Sequence, residues 1–112
     1  MKPIVSKEFQ SRTIFIAGDL KTYAGKFETN FCNEGFNIIF SEDLRELYEY
    51  LEMRQPEAVI LYLSSSYLSK SEIKKIRKSY TGILILLTEI TDARFHISIL
   101  EVGADELLNK SS

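Results

Sequence analysis

One cysteine, one histidine and no tryptophan occur in the 112 residues of this chain. A lone Cys32 can form neither an internal disulfide nor a multi-thiolate metal site. A single His96 leaves little material for a zinc cluster or a catalytic triad. Composition therefore leans away from an enzyme and implies no cofactor. No apolar run approaches the roughly 18–20 residues that cross a bilayer. Nothing resembles a secretory leader, so the expected setting is reducing and cytoplasmic, with no membrane contact. Charge is scarce too: 14 basic against 16 acidic residues leave a net −2, with no overall field to recruit nucleic acid. What is present is an ordinary globular balance, 45% hydrophobic and 27% charged, enough for one domain and too little for two.

Along the chain, short β-branched apolar runs alternate with helical spacings. Residues 1–12 lack periodicity and read as an N-terminal extension to a domain over 13–112. Thr13-Ile14-Phe15-Ile16-Ala17 is a strand ending at Gly18-Asp19, and Leu20, Tyr23, Ala24, Phe27 and Phe31 mark a first helix. Phe36–Phe40 is a second strand. Ser41 is expected to cap a second helix striped by Leu44, Leu47, Tyr48 and Leu51. The apolar run Ala58–Leu63 marks a third strand over about residues 57–63 that stops at Ser64-Ser65-Ser66, a serine cluster that reads as loop. Ser69 and Glu72 have capping-box spacing and are expected to start a third helix with Ile73 and Ile76 inward. Ile83–Thr88 is a fourth strand, Thr91-Asp92 opens a fourth helix, and Asp105–Asn109 is a short fifth strand. These βα repeats predict a doubly wound α/β domain with five parallel strands in the order 2-1-3-4-5, its last helix absent from the chain.

The segment Leu100-Glu101-Val102-Gly103-Ala104-Asp105-Glu106-Leu107-Leu108-Asn109-Lys110 is similar to the "EAGADDYLTKP" stretch of response-regulator receiver domains. The Gly35-Phe36 junction and the approach to the third strand through Gln55-Pro56-Glu57 also match that family's habit. Over about residues 13–110 the chain thus resembles a receiver of the flavodoxin/CheY-like fold. The resemblance implies a phosphorylation pocket at the strand ends: two acids for Mg²⁺, an acceptor aspartate, a switch hydroxyl and a lysine. Those positions fall here on Gly18, Asp19, Tyr62, Thr88 and Lys110. The acceptor aspartate is missing, and a phenol does not offer a carboxylate's charge. Asp19 is either a helix cap or the one remaining metal ligand, and otherwise no metal is expected. Tyr62 either bonds Thr88 or Lys110 in the old pocket or simply packs in the sheet, and Lys110 is expected to pair with Asp19. The resemblance therefore implies a pseudo-receiver without aspartyl phosphorylation.

Two surfaces draw attention. The third helix is rich in lysine and the second in glutamate, an opposition that reads first as a solvated face and otherwise as able to steer a partner or a second copy. The fourth helix is apolar on two sides. Ala93, Ile97 and Leu100 are expected to face the sheet, with Phe95, Ile99 and Val102 outward, and with Asp105 these last form the expected homodimer interface. The function expected is a regulatory domain acting through protein contact without touching nucleic acid. In a longer parent the family would supply a C-terminal DNA-binding output domain and a role in transcription. Two alternatives compete: a switchable receiver that still binds Mg²⁺ or an anion in the residual pocket, and a small-ligand module of flavodoxin type.

Overall fold

The computed structural model describes residues 12–19, 35–63 and 66–109. Within them β1 (Thr13–Gly18), β2 (Asn37–Ser41), β3 (Ala58–Tyr62), β4 (Ile83–Thr88) and β5 (Glu106–Asn109) form one sheet. Its order is β2-β1-β3-β4-β5 and every pairing is parallel, as the alternation predicts. β1 and β3 are buried at every position, which explains why neither shows a polar–apolar alternation: both faces of a parallel sheet are covered.

Three helices are described: α1 (Leu44–Met53), α2 (Ser66–Arg77) and α3 (Ala93–Val102), the second to fourth expected from sequence. Leu47 and Leu51 of α1, Ile73 and Ile76 of α2, and Phe95 and Ile99 of α3 share one core with Phe15, Val59, Leu61 and Leu86. All three helices therefore lie on one face of the sheet. The opposite face carries a second buried cluster of Ile14, Ile16, Ala58, Ile60, Tyr62 and Leu87. Residues 1–11 of the expected N-terminal extension, the first helix with Cys32, Ser64, Ser65 and Lys110 lie outside the described residues.

Two helix starts differ from expectation. Ser41 ends β2, where it pairs with Ala17, and the cap of α1 falls on Asp43, whose carboxylate accepts the Arg45 N–H at 2.9 Å. Ser41 instead accepts the Asp43 N–H at 3.0 Å and meets the Glu46 carboxylate, bracing the strand-to-helix turn. α2 begins at Ser66, so Ser69 is not a cap; it is fully buried inside the helix and its hydroxyl donates to Leu63 O. Glu72 is likewise no capping partner, because it accepts the Tyr48 hydroxyl from α1. Ser41 and Ser69 are thus taken up by local bonds, and Glu72 by a tertiary one to α1.

Candidate functional site

From β1 the chain leads outward to β2, while β3 lies on the other side of β1 and leads on to β4. Such a reversal opens a crevice at the carboxyl ends of the strands, where α/β sheets hold ligands. Strand register sets Gly18 beside Tyr62 and Tyr62 beside Leu87, one residue before Thr88. Gly18, Asp19, Tyr62 and Thr88 thus meet at this end, as the resemblance implied.

The crevice is closed by backbone. Gly18 has φ 116°, and a Cβ there would stand 1.9 Å from the Tyr62 carbonyl oxygen. Only glycine can occupy that position without displacing β3. The next residue tightens the closure, since the Asp19 N–H donates to Tyr62 O at 3.1 Å. An acid at position 18, as a metal-binding receiver would have, is incompatible with this backbone. Asp19 itself is exposed, and the first helix it was expected to cap is outside the described residues.

Tyr62 is buried against the second core cluster, and its hydroxyl donates to Glu89 Oε2 at 3.2 Å. Thr88 is fully buried, and its Oγ1 accepts the Ile90 N–H at 3.0 Å rather than facing an empty pocket. His96 reaches back from α3, its Nε2 2.6 Å from Ile90 O, so Nε2 carries the proton. Tyr62, Thr88 and His96 together hold the loop between β4 and α3. Glu89 escaped the sequence reading, although its place just past the end of β4 was a signal.

Mg²⁺ requires several hard oxygen ligands. Among the described residues no three His, Cys, Asp or Glu side chains gather around a point. Gly18 offers no side chain and Tyr62 no carboxylate. The residues present do not fit the metal.

The structure reverses the expected faces of α3. Phe95 and Ile99 point into the core, Ile99 with 0% of its surface exposed, and Val102 is half-buried. Ile97 and Leu100 are the outward residues, 57% and 47% exposed. Phe95 and Ile99 are therefore withdrawn as interface residues, and a charge at Ile99 would unfold the domain rather than split a dimer. The rotation is set by the core that Phe95 and Ile99 join with Ile73, Ile76 and Leu86, by His96 on Ile90 O, and by Arg77 of α2 on Gly103 O, while Asp92 and Gly103 cap the helix ends. It also buries a phenylalanine where the alternative would bury an alanine, which removes more apolar area from water.

Asp105 is likewise not a free interface residue. Its carboxylate accepts the Leu84 N–H at 2.8 Å and an Arg77 N–H at 2.6 Å. The Leu84 N–H and then the Arg77 guanidinium hold this carboxyl below the usual range. Arg77 also donates to the carbonyls of Gly103, Gly82 and Tyr80 at 2.6, 2.7 and 3.1 Å. A Cβ on Gly103, at φ 133°, would meet the Arg77 side chain. The Gly-Ala-Asp segment is thus a structural clasp between α2, β4 and β5.

No protein-family model matches the chain. Among solved structures it is similar to a response regulator from Thermotoga maritima, with TM-score 0.82 and 17% identity over 91% of this chain and 87% of that one. It is also similar to an orphan response regulator of H. pylori, with TM-score 0.73 and 18% identity over 91% and 85% of the two chains. A third is an atypical orphan response regulator with a phosphorylation-independent regulatory mechanism, at TM-score 0.70 and 17% identity over 88% and 82%. At these identities the likeness establishes the fold, which is that of response-regulator receiver domains. Among the described residues no helix is long and apolar enough to cross a membrane.

Proposed function

We propose that this chain is a non-enzymatic regulatory module of the cytoplasm, a pseudo-receiver that takes no phosphoryl group and acts by protein contact, as a homodimer. The observation that carries this reading is the closure of Gly18 onto Tyr62, which removes both an acidic ligand and the acceptor from one pocket. The similarity to orphan and phosphorylation-independent regulators supports it. By the same family logic, a longer parent chain would carry a DNA-binding output domain and act in transcription.

Incubation with acetyl phosphate and Mg²⁺, followed by intact-mass measurement, tests the pocket. The expected result is no adduct. A hydroxylamine-labile phosphoryl group on Asp19 or Glu89 would overturn the reading.

A further inference from the structure

The helix-bearing face of the sheet is divided by charge. Lys70 and Lys74 on α2, and Lys78 just past its end, recur at helical spacing, all exposed, and none joins an ion pair among the described residues. Lys75, by contrast, is matched by Glu72 at 3.7 Å. Lys70 and Lys74, with Ser71 and Val102, line an open hollow of about 480 Å³ between α2 and α3. The hollow therefore has one cationic wall and an apolar contact on the other. On α1, Glu49 and Glu52 are exposed and join no ion pair among the described residues. Beside them Met53 leaves 84% of its surface in water, the most of any large apolar residue described.

We propose that a second copy of this chain docks here, its α1 laid over the α2–α3 hollow. Glu49 and Glu52 then meet Lys70 and Lys74, and Met53 enters the hollow against Val102. This deepens the homodimer reading, on which it rests, by naming the contact. α1 and α2 are direct neighbours, joined by Tyr48 to Glu72 and by Lys75 over the Tyr48 ring at 5.5 Å. Ridge and hollow thus share one layer. A two-fold pairing of two such layers lays each ridge in the partner's hollow and satisfies both contacts at once. Such closure matters, because unlike patches that meet without it build open chains. Like-on-like packing would set lysine against lysine, so charge also selects the register. A nucleic acid fits less well: it would meet Glu49 and Glu52 on the helix beside the same lysines.

Sedimentation of the full chain and of two charge-reversed variants tests this contact. Glu49→Lys with Glu52→Lys should weaken the dimer by about tenfold or more, and Lys70→Glu with Lys74→Glu should do the same. All four side chains are exposed, so circular dichroism and Tm should match the parent. Mixing the two variants should restore a dimer, since each then offers the other an opposite charge at both contacts. The parent dimer should also loosen as salt rises. A dimer indifferent to both reversals, or a mixture that stays monomeric, overturns this contact. If Ile97→Glu alone dissolves the dimer, the outward side of α3 is the interface and the homodimer reading stands without this one. A chain monomeric at every concentration defeats both.

Discussion

The two ends of the sheet use their polar groups differently. At the amino ends of β4 and β5, Arg77 ties α2 to three carbonyls and to Asp105, while Tyr80 donates to Pro56 O at 2.9 Å. Burial pushes the Tyr80 phenol up to about 12, so it remains a donor throughout the neutral range. Three of these bonds join segments more than 20 residues apart: Arg77 to Gly103 at a separation of 26, Arg77 to Asp105 at 28 and Tyr80 to Pro56 at 24. At the carboxyl ends, Tyr62, Thr88 and His96 hold a single loop. The comparison teaches that the two ends of one sheet are held by separate sets of polar groups. The clasp that orients α2, β4 and β5 is complete, whereas the end that would carry phosphoryl chemistry has been filled with groups that satisfy one another.

Restoring the acid at the carboxyl end is the harshest way to break this contrast. Gly18→Asp would force a Cβ onto Tyr62 O at a positive φ, and strain with overpacking should cost about 3 kcal/mol or more in urea unfolding. A variant as stable as the parent would show that the crevice opens readily.

A paired comparison of the two ends is expected to show a smaller, graded difference. Arg77→Ala takes the Arg77 donor from three carbonyls and one of two donors from the Asp105 carboxylate and should cost about 2 kcal/mol, whereas Tyr62→Phe removes the hydrogen bond to Glu89 and should cost about 1 kcal/mol. Equal losses would erase the distinction between clasp and loop.

The smallest effect is one of pH. The folded Asp105 carboxyl lies below its ordinary value of 3.8, so its contribution to stability is complete above that value. It is lost as pH falls below 3.8 through the folded value. Asp105→Asn should therefore flatten part of the acid limb of a stability-versus-pH curve. Its carboxylate is half exposed, so the change is modest.

Much of this was legible before any coordinates. Uninterrupted β-branched runs are the mark of strands covered on both faces, and they placed β1, β3 and β4 to within a residue or two. Gly103-Ala104-Asp105 located the turn into β5. The pocket positions Gly18, Tyr62 and Thr88 do come together, because parallel strands in this order align their carboxyl ends. Less legible were contacts between side chains distant in sequence. Ser69 and Glu72 matched a capping box locally, yet one is buried against Leu63 and the other is engaged by Tyr48. Arg77 looked like one more cation on a basic helix, and only its four acceptors reveal the clasp.

By itself, then, the order of residues determined the sheet, its strand order and the tyrosine at the end of the third strand, because these follow from runs, spacings and the identity of single positions. The tertiary structure alone decided which side of α3 is core. Periodicity states which residues share a side of a helix, and Phe95 with Ile99, or Ile97 with Leu100, satisfies it equally. Which side meets the sheet depends on rotation about the helix axis. That rotation is fixed by what Phe95 and Ile99 meet in the core and by the Arg77 bond to Gly103 O, partners that lie outside the helix.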